Sequence, residues 1–358
     1  MSEMKSIKKN KFAAGWDNFK QMSGKEKAKF IGNWALDHAM IIAIVLMVIY
    51  IQIQRPAFLG IKSIVNIITV TATRLPIALG VAGCIVLAGT DLSGGRVVGL
   101  AGFVAAILLQ ESGAASKFLP NIGTMPVLLV IVVVLIAGAL IGLLNGFCVS
   151  KFKLHPFIVT LSTQMITYGL YLTISSAKQI SSLDPSYTTN FITKTMVNLG
   201  ENVPMMWLVG LAVIVTAIVW FIWNKTTFGK NMFAIGSNEE AARVSGVNVA
   251  ATIIGVFVLA GATYGYTGFV EAARMGASTG TIGLNYEADA IAACVIGGVS
   301  FVGGIGKISG VVIGVLLMQL IMTGMTFLGI SGNTTYIIKG AVILVACAID
   351  MRKYLTKK

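Results

Sequence analysis

Charge is scarce in this chain. Asp, Glu, Lys and Arg make up 11% of its 358 residues, hydrophobic residues 56%, and the mean hydropathy is +0.85. Soluble domains hold about 25% charged and 45–50% apolar residues, so the composition argues against a water-soluble fold. Proline is also rare, at seven residues, while glycine reaches forty. That balance suits helices packed closely in lipid, because small residues let backbones approach. The four cysteines (Cys84, Cys148, Cys294, Cys347) lie far apart in or beside apolar runs. They lack C-x-x-C spacing, which argues against a disulfide framework and fits small buried hydrophobes. The two histidines, His38 and His155, stand alone, so no metal-ligand spacing exists.

Signals for chemistry are missing as well. A nucleotide cradle needs G-x-x-x-x-G-K-[ST], and the nearest candidate, Gly306-Lys307, is followed by Ile308 and has Phe301 where the first glycine belongs. Neither G-x-S-x-G nor H-E-x-x-H occurs, so a membrane enzyme gains no support. The net charge of +13 does not indicate nucleic acid. That reading needs basic residues clustered on a soluble face, and here they collect at the ends of apolar runs.

What is present is a series of long apolar runs. A membrane span needs about 20 mostly apolar residues, and hydropathy supports about ten: near 34–54, 64–89, 94–111, 125–148, 156–175, 203–223, 250–272, 288–302, 308–328 and 333–350. The predicted fold is an all-α polytopic membrane protein. Residues 1–33 form a hydrophilic arm with eight lysines, 34–351 the membrane domain with a cytoplasmic loop at 224–249, and 352–358 a tail. With the arm inside, nineteen Lys and Arg fall on the cytoplasmic side and six opposite, with Arg74 and Lys339 left within spans. The positive-inside rule then places both termini in the cytoplasm.

Glycines mark close packing at Gly138/Gly142/Gly146, Gly261/Gly265 and Gly310/Gly314. They fit either packing within one chain or a subunit interface. Gly89-x4-Gly-Gly recurs as Gly298-x4-Gly-Gly, so two glycine-broken segments can either line a translocation route or simply pack helices. Ionisable groups at membrane depth are costly, which makes Asp91, Ser93 beside it, Arg96, Glu287 and Asp289 candidates for lining a route. Glu271 and Arg274, three apart on one helix, read best as a structural ion pair.

The segment FGKNMFAIGSNEEAARVSGVNV (228–249) is soluble in character between two apolar runs. Ser237 and Glu240 have capping-box spacing, so a helix of roughly two turns is expected from near Asn238 to Gly246. It is too short to be stable alone, so it leans either on its own bundle or on a soluble partner.

Here the chain resembles a known family. Glu240-Ala241-Ala242-x-x-x-Gly246 is similar to the E-A-A-x-x-x-G loop of ABC-type importer permeases. GTDLSGGRVVGLAG (89–102), YEADAIAACVIGGVSFVGGIG (286–306) and YIIKGAVILVACAIDMRKY (336–354) resemble monosaccharide permeases of the ribose and galactose type. Gly89-Thr-Asp, Arg96 and NKTTFGKN (224–231) are most similar to the galactose/methyl-galactoside members. The likeness covers most of the chain from about residue 35. Two departures stand out: Gly94, where ribose-type members carry Val, and a longer arm.

The resemblance implies a transport subunit that docks an ATP-binding subunit through Gly236, Asn238, Glu239, Glu240, Ala241, Ala242, Arg243 and Gly246. It further implies two copies forming a pore in the bacterial inner membrane, ATP and Mg held by the partner, and an extracytoplasmic sugar-binding protein delivering a monosaccharide. The polar stretch at about 176–202 would be that protein's dock or a plain connector.

Overall fold

The computed structural model describes residues 39–355 together with 23–24, and side chains over 42–348. The predicted N-terminal arm therefore lies outside the described residues apart from Ser23 and Gly24. The chain divides into two compact units, Met1–Tyr50 and Ile51–Lys358. In the first, the described backbone is helical from Ala39.

Helices dominate because apolar side chains in lipid leave the backbone only itself to bond with. They are α1 (Ala39–Gln54), α2 (Ile61–Val86), α3 (Gly94–Leu108), α4 (Val127–Lys151), α5 (Pro156–Ser175), α6 (Trp207–Lys225), α7 (Thr227–Ser237), α8 (Glu239–Val244), α9 (Val249–Met275), α10 (Tyr286–Ile296), α11 (Ile308–Phe327) and α12 (Gly332–Leu355). Six of them, α2, α4, α5, α6, α9 and α11, are long and apolar enough to cross a membrane. The segments predicted at 94–111 and 288–302 are shorter: 15 residues in α3 and 11 in α10, about 22 and 16 Å at 1.5 Å per residue. The remaining depth is irregular chain.

α2 and α9 are buried along most of their length, whereas α4, α5 and α6 expose large apolar side chains such as Leu140, Met165 and Phe221. The first pair forms the centre and the others turn apolar faces outward. Glycines explain how the helices close. A Cβ on Gly138 would meet the carbonyl of Gly261, one on Gly142 the carbonyl of Phe257, and one on Gly265 the carbonyl of Val134. Gly102 and Gly268 join α3 to α9 in the same way, and Gly297, Gly310 and Gly314 join α10 to α11. The glycine motifs thus pack helices of one chain.

Backbone freed by the broken helices is bonded internally. Gly304 N–H donates to Val86 O at 2.8 Å, Gly89 N–H to Cys84 O at 3.0 Å, and Leu92 N–H to the Thr160 hydroxyl at 3.0 Å. Irregular chain at membrane depth is tolerated on that condition.

At the end of α9 remote from α8, the stretch predicted as a loop at 176–202 carries more order. It holds a π-helical turn (Thr188–Ile192) and strand β1 (Thr195–Asn198), paired antiparallel with β2 (Pro204–Met206). Tyr187 is fully buried, and its hydroxyl donates to Phe269 O. Short backbone bridges tie Gln110 to Leu183 and Ile180 to Ser278.

Candidate functional site

The segment singled out at 228–249 folds as two helices at a corner, not the single short one expected. Thr226 accepts from Gly229 N–H and starts α7. The proposed capping box is displaced by one residue. Ser237 belongs to the last turn of α7, where its hydroxyl donates to Phe233 O at 2.9 Å. Asn238, in extended conformation, caps α8 by accepting from Ala241 N–H at 2.9 Å. Gly246 ends α8 as expected. Its φ is +84°, its N–H donates to Arg243 O, and Val247 N–H reaches Ala242 O, the paired bonds of a Schellman stop.

Ala242 faces inward and is buried. Outward stand Glu239, Glu240 and Arg243, with Arg243 bonded to Glu239 at 2.5 Å and near Glu240 at 3.7 Å. Val244 is 85% exposed.

Asp91 and Ser93, predicted as candidates, are buried together in a knot of polar groups. Asp91 Oδ1 accepts from Ser93 N–H at 2.9 Å and from the Ser93 hydroxyl at 2.6 Å. Its Oδ2 accepts from Tyr264 of α9 at 3.1 Å. Asn145 of α4 donates to Ser93 Oγ at 3.0 Å and accepts from Thr163 of α5 at 2.6 Å. Two elements therefore bond the carboxyl group directly and two more join it through Ser93. Gly94 lies against the Tyr264 ring, and a Cβ there would stand 3.1 Å from it. That contact gives the departure at Gly94 a physical sense, since a valine would push aside the tyrosine that holds Asp91.

Arg96 and Glu287 open the two short helices. Arg96 stacks on Tyr168 at 3.9 Å and donates to Gly280 O at 3.3 Å. Glu287 Oε1 accepts from Gln164 at 3.4 Å, while Oε2 lies over Gly95 without a hydrogen-bond partner. Asp289 is not beside them in bonding. It pairs with Lys339 of α12 at 2.8 Å, which accounts for the lysine left inside a span. Glu271 and Arg274 form the expected ion pair with two bonds of 2.9 Å. Arg74, the other charge within a span, joins them at 3.6 Å from Glu271 and stacks on Tyr286, whose hydroxyl also donates to Glu271 at 2.6 Å.

Sequence reasoning did not find Tyr264, Asn145, Thr163 or Gln164. Polar residues inside apolar runs were the signal available for the last three. Tyr264 carries no such mark, since tyrosine is common in these helices. Among the described residues no group of acidic, histidine or cysteine side chains is arranged to hold a metal ion.

An apolar bundle in which two shortened helices begin against each other, with polar side chains gathered at their starts and a capped hydrophilic helix at one end, defines an integral membrane protein. The chain belongs to the family described as branched-chain amino acid transport system / permease component, whose model matches residues 63–347. The galactose/methyl galactoside import permease proteins MglC of Salmonella typhimurium and Escherichia coli are 45% and 46% identical to it, over 94% of this chain and 100% of each relative. The ribose import permease protein RbsC of Haemophilus influenzae is 33% identical over 92% of this chain and 98% of its own length. No solved structure matches the chain significantly.

Proposed function

We propose that this chain is the membrane-spanning permease subunit of an ATP-driven importer for galactose and methyl galactosides. The observation that carries this reading is 45–46% identity along the whole length of relatives named for those sugars, against 33% for a ribose permease. The wider family description names amino acids, but the sugar-named relatives match over more of the chain.

The chain crosses the inner membrane about ten times with both termini in the cytoplasm, the arrangement that the Lys and Arg asymmetry favours. α8 is the coupling helix. Its capped ends, exposed charges and open Val244 suit a groove on a separate ATP-binding subunit, which holds ATP and Mg. Two copies of the permease form the pore. An extracytoplasmic binding protein delivers the sugar to the end built from the π-helical turn and the β1–β2 hairpin. Arg96 and Gln164, partly open, and Glu287, buried with one carboxylate oxygen unused, are the groups best placed to meet sugar hydroxyls. Asp91 and Ser93 act behind them by holding the start of α3. The ATP-binding subunit biases the pore only through a difference in its grip on α8 between states, and moving from 1:99 to 99:1 takes about 5.5 kcal/mol.

Reconstituting the permease with its ATP-binding subunit and binding protein tests the proposal. Accumulation of labelled galactose should need ATP and be competed by methyl galactoside more strongly than by ribose. Competition by ribose alone would move the substrate to that sugar. Uptake by the permease alone, driven by a proton or sodium gradient, would replace the mechanism with secondary transport.

A further inference from the structure

The corner between α7 and α8 is fastened to the broken segment that carries Asp91. Gly236, in the last turn of α7, sits where three backbones converge. A Cβ on it would collide with Val86 O at the end of α2 and with Gly304 N, and these two atoms are themselves hydrogen-bonded at 2.8 Å. From the other side, a Cβ on Gly303 would meet Gly236 O and Ala88. Gly303 and Gly304 both have positive φ, at +87° and +68°. The chain just before the first glycine-broken segment therefore touches the second segment, and α7 ends on that junction.

Beyond this junction the chain runs directly to the carboxyl knot. Ala88 has φ +58°, a conformation that residues with a Cβ adopt rarely and keep only where their surroundings over-determine it. Three residues later comes Asp91, bound to α9 through Tyr264 and linked through Ser93 to Asn145 of α4. One end of the segment is thus held by the core and the other by the α7–α8 corner. A cleft of about 440 Å³ lies beside it, lined by Leu87, Gly89, His155 and Glu239 among others, and leaves room for movement. A second tie, Lys153 to Glu239 at 3.4 Å, crosses this cleft between exposed side chains and is weak for that reason.

We propose that Gly236 is the positioning residue through which displacement of α8 reaches the Leu87–Ser93 segment and its Asp91. This rests on α8 being the coupling helix. Backbone packed on backbone at this junction leaves no flexible side chain to absorb a displacement, so the end of α2 follows the end of α7.

The test is hydrogen–deuterium exchange on the assembled transporter with and without ATP. In the unmodified complex, nucleotide should change exchange both in α8 and over residues 87–93. In Gly236→Ala, which forces the three backbones apart, α8 should still respond while the response at 87–93 disappears, and sugar uptake should fall roughly tenfold or more. General loosening would raise exchange at 87–93 in both nucleotide states without selectively removing the difference. A response at 87–93 that survives Gly236→Ala overturns the proposal. So does an unmodified complex in which nucleotide changes α8 but leaves 87–93 alone, a result that needs no variant to fold. Absence of any nucleotide effect on α8 would instead remove the coupling reading.

Discussion

Asp91→Ala probes the centre of the bundle. The carboxyl group accepts from Ser93 N–H, the Ser93 hydroxyl and the Tyr264 hydroxyl at 2.9, 2.6 and 3.1 Å, and all three residues are 1% exposed. The serine hydroxyl can turn toward another acceptor, but the Ser93 N–H and the Tyr264 O–H cannot both do so. One or two buried donors are then left without a partner at about 1–3 kcal/mol each, so the substitution should destabilise the permease by about 1–6 kcal/mol. Native stabilities are only about 5–15 kcal/mol, so the variant should fold but melt distinctly earlier. Asp91→Asn preserves the Oδ1 acceptor and offers its amide to the tyrosine oxygen, so only the Tyr264 O–H loses its acceptor, and it should cost about 1–3 kcal/mol. Detergent-solubilised protein followed by size-exclusion fluorescence after heating reads the first quantity, and uptake in membranes the second. We expect Asp91→Ala to lower both while the ATP-binding subunit still co-purifies, with Asp91→Asn melting between Asp91→Ala and the unmodified protein. Equal melting of Asp91→Ala and the unmodified protein, with full uptake, would refute the reasoning.

Four other outcomes follow from the same geometry. Glu271→Gln leaves Arg74 and Arg274 without their shared countercharge and should cost about 3–5 kcal/mol, seen as a sharp loss of heat resistance. Gly142→Val drives a side chain into the carbonyl of Phe257 and should destabilise by about 1–3 kcal/mol or more, with Gly169→Val on open surface as the neutral control. Gly94→Val should press on the Tyr264 ring carbons, 3.1–3.3 Å from the new Cβ, and lower both the melting temperature and uptake. Val244→Asp changes a residue that is 85% exposed, so it should leave melting unchanged and reduce co-purification of the ATP-binding subunit.

Much of the helical frame was legible because apolar runs of spanning length have few alternatives. The glycine stripes on α4 and α9 announced close packing, but spacing cannot say whose backbone lies opposite. Only the fold shows that Gly138 meets Gly261 within one chain. The extents of α3 and α10 were overestimated because hydropathy scores composition, and irregular chain buried in protein can be as apolar as helix. The α8 cap was misplaced by one residue because Ser237 and Asn238 are adjacent and both are good capping residues. Tertiary packing assigned Ser237 to the end of α7, and Asn238 took the corner. Glu271 and Arg274 were readable as a pair because helix periodicity alone brings them together. Arg74, Tyr286 and the Lys339–Asp289 pair depend on contacts between distant helices, which no local pattern encodes.

In the proposed function α8 is the part that receives work from an ATP-binding subunit. A photo-crosslinking residue placed at Val244 in the intact, sugar-transporting complex tests this. Ultraviolet light should join the permease to the ATP-binding subunit in high yield, with the yield changing when ATP is added. Capture of lipid or of another part of the permease, with no ATP-binding subunit in any nucleotide state, would contradict it.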